Sequence, residues 1–154
     1  MIKYKDSHIV FEEIPDRVSL AVNITNCQNN CIGCHSPELR LNSGVELSED
    51  EIDRLIKGNY GIDCFLFMGE GKDQKRLLEI ARYIKETYSI KIAIYSGRDS
   101  VESDFYRLFD YVKVGGYKEE YGPLNKYTTN QRLYEMVGDE IKDITYKFWK
   151  NGSH

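Results

Sequence analysis

The stretch DCFLFMGEG, residues 63–71, is a short apolar run that ends in two glycines. Such a run, without alternating polar side chains, is typical of a strand that is buried on both faces of a sheet. Strands of this kind belong to parallel sheets whose faces are covered by helices. The stretch therefore predicts a buried strand, followed by a glycine turn that carries the carboxylate of Glu70.

The segments on either side of this strand alternate between strand and helix patterns. Strands alternate or run apolar over a few residues, whereas helices repeat apolar residues every three to four positions. The helix that begins after Ser48 also carries a capping box, with Glu51 three residues later. The predicted strands are 17–25, 63–71, 90–98, 110–117 and 143–149, the predicted helices are 47–59, 72–88 and 100–109, and 122–136 is predicted to be a loop.

Alternating strands and helices indicate βαβ units and a mainly parallel sheet. A closed eight-fold barrel needs about 250 residues, and this chain has 154. We therefore expect one domain over residues 1–154, folded as an incomplete TIM-like barrel with a curved, mainly parallel sheet of about five to six strands and flanking helices. Ligands bind at the carboxyl ends of such strands, where Gly69, Glu70, Ser96 and Arg98 lie.

Composition and charge indicate which partners and which cellular compartment to expect. The net charge is −4 and basic residues do not cluster, which argues against nucleic acid as a partner. No apolar run approaches 18 residues, so we expect no membrane span. Charged residues occupy the N-terminus where a signal peptide needs an apolar stretch, so a cytoplasmic location is expected. In that reducing compartment the four cysteines are not expected to form disulfides.

Three of the four cysteines fall within eight positions of one polar segment, as Cys27, Cys31 and Cys34, followed by His35. Three unconnected thiols are the least favoured interpretation, because buried thiols belong in apolar strands. A zinc site with His35 or Cys64 as the fourth ligand remains an alternative, although zinc sites normally pair two ligands with two from a distant segment. An iron–sulfur cluster fits the C-x3-C-x2-C spacing better. Three thiolates leave one iron open, which is typical of a catalytic centre.

This cysteine spacing after a first strand, with a glycine–acidic turn after the second, resembles the radical S-adenosylmethionine enzymes. Within that superfamily, residues 29–52 (NNCIGCHSPELRLNSGVELSEDEI) and 112–134 (VKVGGYKEEYGPLNKYTTNQRLY) resemble the activating proteins of anaerobic ribonucleoside-triphosphate reductases. Those proteins are about as long as this chain and carry an N-S-G turn and a late N-Q dipeptide. The resemblance covers most of the chain.

The resemblance implies two cofactors and two partners. Cys27, Cys31 and Cys34 would bind a 4Fe-4S cluster, and the amino and carboxylate groups of S-adenosylmethionine would chelate the open iron. Reductive cleavage of the cosubstrate would generate a radical that abstracts hydrogen from a glycine of the reductase. A flavodoxin or a ferredoxin would supply the electron. No catalytic side chain is implied beyond the cluster and the cosubstrate.

The resemblance also assigns roles to residues outside the ligand set. Gly33 and His35, on either side of Cys34, would lie against the adenine. Gly69 and Glu70 correspond to a G-G-E turn that holds the cosubstrate's ammonium, although Met68 replaces the first glycine. The residues expected to contact the ribose or the carboxylate are Ser96 and Arg98.

Two features receive no site role from the resemblance. Asn130 and Gln131 match the late N-Q pair but have no assigned task. Cys64 is expected to be an inert thiol in the core, because it lies in an apolar strand.

An incomplete barrel would leave a lateral opening wide enough for a loop of the reductase.

Three alternatives to the reductase activase remain open. The chain could activate another glycyl-radical enzyme, or it could act on a small molecule with the same radical chemistry. From a different class, it could be a zinc-binding interaction module without enzymatic activity.

Overall fold

The computed structural model describes residues 1–25, 44–116 and 118–149. The strands are β1 Lys3–Val10, β2 Ser19–Ile24, β3 Val45–Glu46, β4 Cys64–Met68, β5 Lys91–Tyr95, β6 Tyr111–Val114, β7 Arg132–Val137 and β8 Glu140–Asp143. The helices are α1 Glu49–Gly58, α2 Gln74–Thr87, α3 Ser103–Leu108 and a 3-10 helix over Thr145–Phe148.

The strands form one mixed sheet of eight, in the order β3-β1-β2-β4-β5-β6-β7-β8. Only the pairs that join β2, β4, β5 and β6 are parallel. The pairs that add β1, β3, β7 and β8 are antiparallel. The described strands leave the sheet open, with β3 and β8 at its edges. The prediction of an incomplete TIM-like barrel, with a mainly parallel sheet of about five to six strands, is therefore wrong.

The added strands escaped prediction because they lie toward the two sides of the sheet and bury few side chains. β1 reads KYKDSHIV, and only one of its eight residues is buried. All four residues of β8 are exposed, so backbone pairing with β7 rather than apolar burial holds it in the sheet. The predicted loop 122–136 contains most of β7, and the predicted final strand 143–149 is largely the 3-10 helix.

The remaining elements follow the sequence pattern closely. The strands β2, β4, β5 and β6 and the helices α1, α2 and α3 fall within their predicted segments. Ser48 accepts a hydrogen bond from the backbone N–H of Glu51 at 3.2 Å, which confirms this half of the predicted capping box. No helix in the part of the chain that the structure describes is long and apolar enough to cross a bilayer.

The two faces of the sheet are covered differently. One face packs against the three helices, whose buried side chains include Ile52, Ile80 and Phe105. The other face packs against two irregular segments, through Ile14 near the start of the chain and Ile144 near its end. Phe148 of the 3-10 helix also packs against this second face.

Candidate functional site

The carboxyl ends of the four parallel strands lie along one edge of the sheet. In register, Asn23 of β2 pairs with Met68 of β4, and Met68 pairs with Tyr95 of β5. The predicted site residues after β4 and β5 therefore start from neighbouring positions. The structure brings Glu70, Ser96 and Arg98 into direct contact, although the barrel that was expected to position them is absent.

The turn after β4 consists of Gly69, Glu70 and Gly71, with Met68 still in the strand. Both glycines have positive φ, +108° and +69°. A Cβ at Gly71 would lie 3.2 Å from the side chain of Ile24 at the end of β2. The carboxylate is thus carried between two left-handed glycines in a turn that packs against the last residue of β2.

Glu70 is nearly buried and is bound by side chains through both oxygens. Its side chain is 11% exposed. Oε2 accepts hydrogen bonds from the hydroxyl of Ser96 and, at 3.0 Å, from Nε of Arg98. Oε1 accepts one from Nη2 of Arg98 at 2.6 Å. This is a bidentate carboxylate–guanidinium pair, which is stronger and more directional than a contact between point charges.

Arg98 binds a second carboxylate that the sequence analysis did not identify. Its Nη1 and Nη2 donate to Glu102 at 2.8 and 3.0 Å. Hydrogen bonding to Arg98 lowers the pKa of the Glu102 carboxyl to about 2, and the bonds to Glu102 and then Glu70 raise the pKa of Arg98. The signal was present in the sequence, since Glu102 lies four residues after Arg98 in the segment that leads into α3.

Asn130 and Gln131 now have a structural role at the same edge. The turn after β6 begins at Gly115, where φ is +93°, and a Cβ there would lie 3.0 Å from Cα of Gln131. The side-chain amide of Asn130 donates to the carbonyl of Gly116 at 3.1 Å. The backbone N–H of Gly115 donates to the carbonyl of Arg98 at 2.6 Å. The N-Q pair therefore supports the glycine turn that holds the Arg98 loop.

Lys113 is a further residue of this edge that sequence reasoning missed. It is 8% exposed, and its ammonium lies 5.1 Å from the centre of the Tyr95 ring and donates to the carbonyl of Gly115 at 3.0 Å. The signal was a lysine in the otherwise apolar strand YVKV. A cation thus lies among buried residues next to the turn that follows β6.

The predicted cluster ligands Cys27, Cys31 and Cys34, together with Gly33 and His35, lie outside the described residues. The described chain before them ends at Thr25, whose backbone N–H donates to the carbonyl of Lys3 at 2.9 Å. Gly71 would place a Cβ 3.6 Å from the carbonyl of that same threonine. Thr25, the last described residue before the cysteine segment, therefore lies beside the glycine turn that carries Glu70.

Cys64 occupies the opposite end of the parallel strands. It pairs in register with Ser19, the first residue of β2, and it is fully buried. Five residues of strand, or about 16 Å at 3.3 Å per residue, separate Ser19 from Ile24. Burial raises the pKa of the Cys64 thiol to about 12, so it stays protonated at neutral pH. Its prediction as a core thiol is confirmed.

Within the described ranges, no group of three or more His, Cys, Asp or Glu side chains could hold a metal ion. The arrangement that does exist is a paired carboxylate and guanidinium with a buried serine hydroxyl, and such a set is complementary to a zwitterion. Comparisons with protein-family models, with curated proteins and with solved structures found no match to this chain.

Proposed function

We propose that the protein is a radical S-adenosylmethionine activase that generates a glycyl radical on an anaerobic ribonucleoside-triphosphate reductase. One observation carries the proposal: the Glu70–Arg98 pair lies in the turns beside the end of β2, where the chain enters the C-x3-C-x2-C segment. This pair could bind an amino acid group, and in sequence Cys27 follows Thr25 at the end of β2 by two residues.

The described residues fit the amino acid half of the cosubstrate. That half carries an ammonium and a carboxylate on one carbon, so it needs a carboxylate and a cation side by side. Glu70 and Arg98 provide both at 2.6 Å. The nearly buried position of Glu70 strengthens its attraction for a cation, because water screens the pair less.

The cluster, when bound, supplies the electron that cleaves S-adenosylmethionine into methionine and a 5′-deoxyadenosyl radical. The chain's own residues bind and orient the cosubstrate. Glu70 accepts the hydrogen bonds of the ammonium, Arg98 binds the carboxylate, and Ser96 holds the Glu70 carboxylate in place. The turn at Gly115 supports the Arg98 loop through the backbone bond between the two residues.

The partners belong to the same proposal. The reductase provides the glycine of its glycyl-radical subunit, and a flavodoxin or a ferredoxin provides the electron in the cytoplasm. Neither nucleic acid nor a membrane is a proposed partner. The lateral opening expected for a loop of the reductase depended on an incomplete barrel, and the mixed sheet does not form one.

The first test is anaerobic reconstitution with iron and sulfide, followed by analysis of bound metals. We expect about four irons and four sulfides per chain, and cleavage of S-adenosylmethionine to 5′-deoxyadenosine under reducing conditions. Cys31→Ala removes one of the three ligands, so cluster and cleavage are both lost. Cys64→Ala is the matched control, because that thiol is a core group and the cluster remains.

The second test identifies the target by electron paramagnetic resonance. Incubation with reductant, cosubstrate and the reductase is expected to give a glycyl doublet that Cys31→Ala abolishes. A doublet only with another glycyl-radical enzyme, or cosubstrate cleavage with no protein radical, contradicts the reductase as the target. One bound zinc and no iron contradicts the radical chemistry altogether and supports a zinc-binding module.

A further inference from the structure

Arg98 lies between two carboxylates that differ in exposure. The side chain of Glu70 is 11% exposed, whereas that of Glu102 is 51% exposed. Each carboxylate receives two hydrogen bonds from the guanidinium, all between 2.6 and 3.0 Å. Four of the five guanidinium N–H groups can therefore be engaged by the two partners at once.

A cationic ligand group that binds both oxygens of Glu70 must change this arrangement, because three of the roughly four lone pairs of the carboxylate are already used. Both oxygens of the carboxylate already accept bonds from Arg98, and Oε2 also accepts one from Ser96. An ammonium that spans both oxygens therefore competes with the guanidinium. If Arg98 had no second partner, the released guanidinium would depend on the ligand carboxylate alone.

Glu102 is held by contacts that do not involve Glu70. Its Oε2 accepts a hydrogen bond from the side-chain amide of Gln74, the first residue of α2, at 3.1 Å. The residue is also the N-cap position of α3. The guanidinium of Arg98 lies 5.5 Å from the ring centre of Phe105, one turn further along that helix. The contacts at the start of α3 can therefore hold Arg98 after its hydrogen bonds to Glu70 have broken.

We propose that Glu102 is a positioning residue that retains Arg98 while Glu70 exchanges the guanidinium for the ammonium of an α-amino acid ligand. The site thus opens by an exchange of partners, and no charge is left unpaired. Arg98 keeps its bonds to Glu102 and turns toward the ligand carboxylate. The inference rests on the proposed function, since the ligand is the amino acid half of the cosubstrate.

The exchange predicts that removal of the Glu102 charge weakens binding of ligands that carry the amino acid group, and of those alone. In Glu102→Gln, neither of the two carboxylates holds Arg98 once the ligand ammonium has taken Glu70. Only the ligand carboxylate then compensates for the lost pair, so binding is weaker. The probes are S-adenosylhomocysteine, which has the amino acid group, and 5′-methylthioadenosine, which lacks it. Binding is measured by titration calorimetry on the anaerobically reconstituted protein.

We expect the Kd of S-adenosylhomocysteine to rise about five- to tenfold in Glu102→Gln, which is the scale of one typical hydrogen bond. The Kd of 5′-methylthioadenosine is expected to stay within about twofold of wild type. Asp104→Asn is the matched control, because Asp104 forms an exposed pair with Arg107 at 3.8 Å in the same helix. That variant is expected to bind both probes as wild type does.

Each other outcome overturns the inference in a recognisable way. An unchanged Kd for S-adenosylhomocysteine reduces the Glu102 contact to a surface ion pair. A lower Kd identifies Glu102 as a competitor of the ligand carboxylate for Arg98. Equal weakening of both probes indicates a deformed site rather than a lost partner. Failure of the wild-type protein to assemble a cluster or to bind either probe overturns the proposed function itself, and that result is visible before any variant is compared.

Discussion

The two ends of the four parallel strands use carboxylates in different ways. At the amino ends, Asp63 accepts the backbone N–H of Val18 and Asp110 accepts that of Ile92, both at 2.9 Å. At the carboxyl ends, the hydrogen bonds of Glu70 come from the side chains of Ser96 and Arg98. The same type of group thus completes the backbone at one end and binds other side chains at the other.

The two kinds of contact differ in whether the carboxylate can change its partner. A carboxylate bound to a strand N–H cannot change partners without leaving that donor unsatisfied inside the fold, which costs about 1 to 3 kcal/mol. A carboxylate bound to side chains can exchange them for a ligand, because the released side chains can find other partners. Cys64 is likewise a buried thiol at the amino ends, beside Ser19.

The largest expected difference between the two ends concerns their glycine turns. Gly115 lies at the carboxyl ends with φ +93°, and Gly138 lies in the hairpin at the other end with φ +62°. Alanine costs about 1 kcal/mol at Gly138 for the left-handed backbone alone, since nothing lies within 4 Å of its added Cβ. At Gly115 the added Cβ also meets Cα of Gln131 at 3.0 Å, so Gly115→Ala is expected to cost about 3 kcal/mol.

Urea unfolding of the two glycine variants measures these costs directly. Gly138→Ala is the control for backbone strain, so the difference between the variants isolates the contact with the N-Q pair. Equal free energies of unfolding for both variants would show that Asn130 and Gln131 do not support the turn.

Much of this edge follows from the sequence, because parallel strands bring their carboxyl ends together. That rule predicted that Glu70, Ser96 and Arg98 would lie near one another. It could not assign both Glu70 oxygens to Arg98, nor identify the support that Asn130 gives to Gly116, since those contacts depend on how separate loops pack.

The mistaken fold class has a different physical origin. Apolar periodicity detects strands that bury side chains, and it found the four parallel strands. β1 buries one residue of eight and β8 buries none, and both pair with neighbouring strands through the backbone. Their patterns are weak in isolation, so the antiparallel additions that turn a parallel core into a mixed sheet were not visible.

Removal of a carboxylate is expected to lower stability at the amino ends of the strands and ligand affinity at the carboxyl ends. Asp110→Ala leaves the backbone N–H of Ile92 without an acceptor, so the free energy of unfolding is expected to fall by about 1 to 2 kcal/mol. The same variant is expected to bind S-adenosylhomocysteine as wild type does. Glu70→Gln is expected to lower that affinity at least tenfold, or about 1.4 kcal/mol, with a smaller loss of stability than Asp110→Ala. Chemical unfolding and calorimetric titration of both variants give the four values.

The comparison between the ends fails if both variants lose affinity to the same extent. That result would mean that the amino ends of the strands shape the site as much as Glu70 does. It would also remove the reason for separating structural carboxylates from exchangeable ones.

The smallest expected effect is the pH dependence of the Glu102–Arg98 pair. Arg98 lowers the pKa of Glu102 from the ordinary 4.5 to about 2 in the folded protein. A depressed pKa means that the stabilisation is fully present above about pH 4.5 and is lost as the pH falls toward 2. Because Glu102 is half exposed, the contribution is expected to stay below about 1 kcal/mol. Urea unfolding of wild type and Glu102→Gln at pH 6 and pH 3 measures it as the difference between the two proteins. A difference that persists unchanged at the lower pH would mean that packing of the Glu102 side chain, and not its charge, holds Arg98 at the start of α3.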